Sequence, residues 1–364
     1  MGTTFKIKGS VAVVVGAQYG SEGKGAIAHH IADKYNVHVR VGSPNAGHTF
    51  YWNGEKHVQR SIPCGWTNPE ALIIIGRGAL IDMDQLMAEL TTIEGYYPDF
   101  RQRLRIDSTA GVLSKRFHQQ EGGVDGEMHK RIGSTGEGVG PARMARLERN
   151  PDTFQFFRDV VEEYGLKDCM VDDTPHLLHT LHGAGAKILI EGTQGSALSL
   201  LHSYWPYCTS TDTNAAQMLA DVGIAPALLD EVILVARTYP IRVAGNSGPM
   251  RNEISWEELS ERIGKKVSER TTVTKKVRRI AEWDRTLFNT ACMLNKPTKL
   301  ALTFADYVDP DLYAVDSIQR VVQSAPLGLF LQQSGIMDYI RNNECSLAFV
   351  GTGPDTVVNT QEVF

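Results

Sequence analysis

A serine, a lysine and a histidine stand close together near the start of the chain, each beside glycines. The first two belong to GAQYGSEGKG (16–25), which supplies Gly16, Gly20, Ser21, Gly23, Lys24 and Gly25. The third is His48, in NAGHT (45–49). Glycines that turn backbone N–H groups inward, backed by a lysine charge and a following helix, make a phosphate cradle. A histidine beside such a cradle suits general-acid chemistry, because its ordinary pKa lies near working pH. The spacing is not that of a P-loop, GxxxxGK[ST]. Six residues separate Gly16 from Gly23, and Gly25 occupies the place of the hydroxyl that would reach Mg²⁺. A standard Walker NTPase is therefore disfavoured, and a metal must find other ligands, Ser21 among them. The absence of GxGxxG argues against a dinucleotide fold.

Both loops follow apolar, β-branched runs. Strands are expected at 11–16, 37–42, 71–76, 103–107, 186–191, 231–237, 300–304 and 346–350, several of them continuous Val/Ile/Leu runs suited to a sheet covered on both faces. Helical periodicity marks 25–35, 83–93, 256–263, 283–294 and 336–343. Alternation of the two predicts an α/β fold: a large, mostly parallel central sheet covered by helices, with a P-loop-like phosphate loop and loop-rich helical insertions. Residues 1–364 read as one domain, less regular at 114–164 and 244–276. Five of the strands empty into small, polar, mostly glycine-rich loops: AQYGSEGKG, SPNAGHT, GTQGS, ADYVD and GTGPD. In a parallel sheet these loops share the carboxyl edge, where ligands bind.

Composition narrows the function. The chain has 364 residues, 42% of them hydrophobic and 22% charged, which is ordinary globular material. A net charge of −5 disfavours nucleic acid or an anionic membrane as the main partner. No apolar run is long enough to span a bilayer, and the first residues lack a signal-peptide core. Five cysteines (64, 169, 208, 292, 345), odd in number and never in a CxxC pair, read as reduced cytoplasmic thiols.

Seven segments in order carry a resemblance across nearly the whole chain: GAQYGSEGKG, NAGHT, IGSTGEGVGPA (132–142), EGTQGS (191–196), WPYCTST (205–211), IRVAGNSGP (241–249) and TGPD (352–355). Together they resemble adenylosuccinate synthetases. That family phosphorylates the 6-oxygen of a purine nucleotide, usually IMP with GTP and Mg²⁺, and then lets the amine of aspartate displace phosphate. The resemblance implies catalytic roles for Ser21, Lys24, His48 and Gln194. It places the nucleoside triphosphate on Gly20, Ser21, Glu22, Gly23, Lys24, Gly25, Ala26, Gly47, His48, Thr49, Phe304, Asp306, Gly351, Gly353 and Pro354. The acceptor nucleotide falls to Ser21, Asn45, Ala46, Thr135, Arg149, Gln194, Thr209 and Val243. Aspartate falls to Thr272, Val273, Thr274 and Arg278 in RTTVTKKVRR (270–279), and Mg²⁺ to Ser21 and the Gly47 carbonyl. Arg149 matches an arginine that crosses to the neighbouring subunit, so a homodimer is implied.

Two departures sharpen the expectation. Cellular members read GDEGKG, and their aspartate takes the N1 proton of the base. Ser21 replaces it here; a neutral hydroxyl is no base near pH 7, but it leaves room for, or hydrogen-bonds, an amine on purine carbon 2. A phage branch of the family uses dGMP in this way, making the succino precursor of 2-aminoadenine, and Ser21 resembles that branch. The N1 base is then unassigned, with water and the substrate phosphate as alternatives. Secondly, the Lys-Leu-Asp that reads a guanine donor is here Phe304-Ala305-Asp306. That favours ATP or dATP, stacked on Phe304, while Asp306 keeps GTP open. The expected activity is a ligase joining aspartate to dGMP in a cytoplasm, the host's if the gene is phage-borne. The alternatives are a GTP-dependent enzyme on IMP and an inactive nucleotide-binding protein.

Overall fold

The computed structural model describes residues 9–270, 276–361 and 363. Its main sheet contains β1 (Ser10–Gly16), β2 (Val37–Arg40), β3 (Leu72–Ile75), β4 (Leu104–Asp107), β5 (Met170–Val171), β6 (Lys187–Glu191), β7 (Leu229–Arg237), β8 (Lys299–Thr303), β9 (Ser346–Gly351) and β10 (Val357–Asn359). They lie in the order β10-β9-β8-β7-β1-β6-β2-β3-β4-β5. Every neighbouring pair is parallel except β9 with β10. The eight expected strands all form, with ends shifted by a residue or two.

Burial follows the two-residue strand period. Val11, Val13 and Val15 of β1 enter one core, while Ala12 and Val14 enter the other. Helices cover both faces: Ala215–Val222 and Arg285–Asn295 on the first side, α1 (Lys24–His30) and Met83–Glu94 on the second. This double covering is why the central strands read as unbroken apolar runs.

Three local expectations are corrected. The helix expected over 25–35 is α1 followed by a separate 3₁₀ turn, Ala32–Lys34. The helix expected from 283 begins at Arg285, because the Asp284 carboxylate accepts the Thr286 and Leu287 N–H groups as an N-cap. Finally, NAGHT is not all loop: His48 and Thr49 open the strand His48–Trp52, paired antiparallel with Glu55–Gln59. A three-stranded sheet of Ile241–Arg242, Arg279–Ala281 and Glu253–Ile254 lies outside the main sheet. Among the described residues, no helix is long and apolar enough to cross a membrane.

Candidate active site

The parallel sheet brings the loops after β1, β2 and β6 together at its carboxyl edge, where they wall one cavity. Gly20, Ser21 and Lys24 line it from the first loop; Asn45, Ala46, Gly47 and His48 from the second; Gln194 from the third. Thr135, Thr209, Val243 and Arg278 complete the expected set at its wall. The loops interlock at close approaches. A Cβ on Gly42 would meet Thr193 Oγ1 at 2.3 Å, so only glycine (φ +108°) lets the second and third loops touch there.

The phosphate loop is braced from below. Glu22 is buried, and its Oε1 accepts the N–H groups of Gln18 (3.0 Å) and Gly20 (2.9 Å). Its Oε2 pairs with Lys24 Nζ at 2.6 Å. Glu22 thus shapes the loop from beneath and holds the lysine in place. Ser21 sits above it, exposed and in the left-handed region (φ 59°). Gly25 has a steric reason: a Cβ there would come within 2.8 Å of His48 Cβ and 3.0 Å of the Thr49 carbonyl. The hydroxyl of a Walker loop has no room, because α1 packs directly on the strand that carries His48. Gly25→Ser is expected to cost about 1–3 kcal/mol of stability through overpacking and to lower turnover by displacing His48. Thermal melts and steady-state rates on the same preparation check both effects.

His48 belongs to a buried polar cluster. Its Nδ1 lies 2.6 Å from Glu191 Oε1 and 3.0 Å from Arg40 Nη1. Arg40 also hydrogen-bonds Glu191. The register explains the meeting: Arg40 and Glu191 are Cα partners at the carboxyl ends of β2 and β6. The Cys64 N–H adds a third donor to Glu191, at 2.7 Å. A 2.6 Å approach to a carboxylate oxygen places a proton on Nδ1, which leaves Nε2, buried and without a protein partner, available to the cavity. Burial, then the Arg40 charge, push the imidazole down to about 4 against the opposing pull of Glu191. Burial pushes Glu191 up, but Arg40, His48 and the Cys64 N–H outweigh it and hold the carboxyl at about 2. His48, Cys64 and Glu191 have the atoms for a metal site, yet the guanidinium already fills the positive role between two of them. Hard oxygen donors suited to Mg²⁺ lie instead on the cavity wall, in exposed Ser21 and Gly47.

The remaining expected residues lie elsewhere. Thr272, Val273 and Thr274 fall outside the described residues. Glu22, Gly23, Gly25, Ala26 and Thr49 form the backing of the wall. Phe304, Asp306, Gly351, Gly353 and Pro354 do not line this cavity; Gly351 ends β9 and the others follow β8 and β9, further along the same sheet edge. One face of Phe304 is covered by the Arg237 guanidinium, 3.8 Å from the ring centre, so only the other face is left for a base. Burial pushes the Asp306 carboxyl up to about 6. Arg149 caps the helix Val139–Glu148 and lies away from its own chain's cavity.

The sequence reading missed several wall residues. Arg242 is buried, 4.5 Å from the centre of the Tyr19 ring, and donates to the carbonyls of Tyr207 (2.7 Å) and Pro249 (2.8 Å). Arg60 joins three segments by donating to the Pro44 carbonyl, to Gln85 (3.2 Å) and to Glu137. Glu121 accepts from Ser134 Oγ and Gly138 N–H, shaping the loop that carries Thr135. The signal for Arg242 was its place inside IRVAGNSGP; the other two carry none, because their partners are distant in sequence.

Known proteins share this fold. The adenylosuccinate synthetase family model matches residues 13–162 and 152–311. An adenylosuccinate synthetase of Methanococcus maripaludis is 38% identical over 314 residues, covering 85% of this chain and 88% of the relative. That of Methanocaldococcus jannaschii is 38% identical over 316 residues, covering 86% and 87%. Among solved structures, a succinoaminodeoxyadenylate synthetase of cyanophage S-2L, bound to dGMP and to dATP as an energy donor, superposes with a TM-score of 0.79 at 29% identity, covering 97% of this chain and 96% of the other. The fully ligated adenylosuccinate synthetase of Plasmodium falciparum shares the fold (TM-score 0.80, 20% identity, 96% and 100% covered). The chain belongs to the adenylosuccinate synthetase family, carbon–nitrogen ligases that act on a purine nucleotide and aspartate.

Proposed function

We propose that this ligase joins L-aspartate to carbon 6 of dGMP with ATP or dATP, giving 2-amino-2'-deoxy-N6-succinoadenylate, ADP or dADP, and phosphate. The observation that carries the reading is Ser21: a small, neutral, exposed side chain on the cavity wall, in the place of the family's aspartate. The cyanophage structure, with dGMP and dATP in its site, lends support from a relative of similar length. Phe304 in place of the guanine-reading lysine supports an adenine donor, taken on the ring face that Arg237 leaves open.

In this reading Lys24 and the loop amides hold the transferring phosphoryl group, and the 6-oxygen attacks it. Ser21 and the Gly47 carbonyl would hold Mg²⁺, which would supply charge neutralisation at the phosphates. His48 presents Nε2 to the same group while Glu191 fixes its ring and stabilises the imidazolium form. Nucleotide phosphate supplies the negative charge that raises His48 toward protonation. Gln194, also left-handed (φ 62°), reads the base edge, and Thr135 and Thr209 hold the 5'-phosphate. Arg278 grips an aspartate carboxylate from the cavity wall. Aspartate nitrogen then forms the bond to carbon 6, and phosphate leaves with the original 6-oxygen.

The second reading, a GTP-dependent enzyme on IMP, is favoured by the names of the archaeal relatives. One assay separates them: aspartate and Mg²⁺ with dGMP, GMP or IMP, each crossed with ATP, dATP and GTP. Phosphate release from dGMP and an adenine donor is expected; release confined to IMP overturns the proposal.

The active form is proposed to be a homodimer with Arg149 crossing to the partner site. Arg149 ends a helix whose Leu147 is exposed (77%), apolar surface available to a partner subunit. Mixing Arg149→Ala subunits with His48→Asn subunits is expected to restore activity, since one site of each mixed dimer then has both residues. Absence of recovery after verified subunit exchange argues for sites complete within one chain.

A further inference from the structure

Arg237, the last residue of β7, has no part in the roles above, yet it touches three of the loops that carry them. It is fully buried. Its backbone is clamped to the phosphate loop by Gln18, whose side chain accepts the Arg237 N–H (3.0 Å) and donates to its carbonyl (2.9 Å). Its Nη1 donates to the Ser21 carbonyl at 3.2 Å. The same fork grips the Glu269 carboxylate with both nitrogens, at 3.3 and 2.5 Å. Its flat face covers Phe304.

Glu269 is the informative partner. Its carbonyl accepts the Arg278 N–H (2.9 Å), and Arg270 bridges antiparallel to Val277, so Glu269 is held directly beside Arg278, which lines the cavity. We propose that Arg237 is a positioning residue that, through Glu269, ties Arg278 to the phosphate loop, so that Arg278 is set in register with Ser21. The inference rests on reading Arg278 as an aspartate ligand. A guanidinium suits the task and an ammonium does not: only a planar fork can hold both Glu269 oxygens, reach the Ser21 carbonyl and lie flat on an aromatic ring.

The test compares Arg237→Lys, Glu269→Gln, the double variant and Arg278→Ala, with KM for each substrate and kcat measured separately. Arg237→Lys is expected to raise the KM for aspartate about 10-fold and to leave that for the purine monophosphate within 2-fold. Glu269→Gln, at a partly exposed carboxylate, is expected to do the same, and it tests the tie from the other side even if Arg237→Lys does not fold. The double variant is expected to be no worse than the worse single, since both break one link. Equal rises in every KM, a multiplicative double effect, or an unchanged aspartate KM while Arg278→Ala raises it would each overturn the tie alone. An unchanged aspartate KM in Arg278→Ala overturns the reading of Arg278 as an aspartate ligand.

Discussion

His48→Asn lowers kcat about 10³-fold, within the range a positioned proton donor contributes, while nucleotide KM values move only a few-fold. Glu191→Gln gives a smaller loss, about 10²-fold, with a diagnostic pH dependence. In the wild-type complex the imidazolium form is stabilised by a carboxylate at 2.6 Å. The amide removes that stabilisation but leaves the Arg40 guanidinium 3.0 Å from the ring. The His48 pKa in the complex therefore falls. In the proposed role the protonated ring is the active form, so the decline of kcat on the alkaline side is expected to move to lower pH in Glu191→Gln. Profiles of kcat from pH 5 to 9 check this; an unmoved alkaline limb with lowered kcat would mean that Glu191 acts only through packing. Melting curves are needed beside them, since the variant leaves Arg40 with a weaker buried partner.

Ser21→Asp is the substrate-switching variant. Ser21 has φ 59°, a conformation aspartate adopts more readily than most residues, so the change alters the side chain with little backbone cost. A carboxylate takes up the space beside the 2-amino group and restores the family's proton acceptor. Turnover of dGMP is expected to fall about 10²-fold or more, whereas turnover of IMP, which lacks that amine, is retained or rises. Competition between the two monophosphates at fixed ATP and aspartate reads the ratio directly. Equal losses on both would remove Ser21 from substrate choice.

Much of the frame was legible because the central strands are covered on both faces, which leaves continuous Val/Ile runs with glycine-rich exits. The loop at 16–25 and NAGHT could be placed at one sheet edge on that basis alone. The cluster around His48 could not. Glu191 reads as the last residue of the KILIE strand and the first of EGTQGS, but its meeting with Arg40 depends on β2 lying beside β6, a neighbour relation no local pattern encodes. Arg237 was hidden for the same reason: its partners are at 18, 21, 269 and 304. Gly25 was noticed as a departure, but its cause, the packing of α1 on the His48 strand, is tertiary. Turn chemistry was partly overlooked, since the Asp284 cap is a readable signal that moves a helix start.

The position of β1 has a consequence for synthesis and refolding. Its neighbours are β6 and β7, so Ser10 pairs with Lys187 and Val11 with Leu229. During synthesis the phosphate loop precedes the strands that flank it by well over a hundred residues. Until then an apolar strand has two open edges, the arrangement most prone to pairing with another chain. Such distant parallel pairings also slow folding, because loop closure must precede any gain from the sheet. Chains interrupted before β7 should accordingly accumulate in the insoluble fraction, and yield of the full chain should depend on chaperone supply more than on the strength of the site.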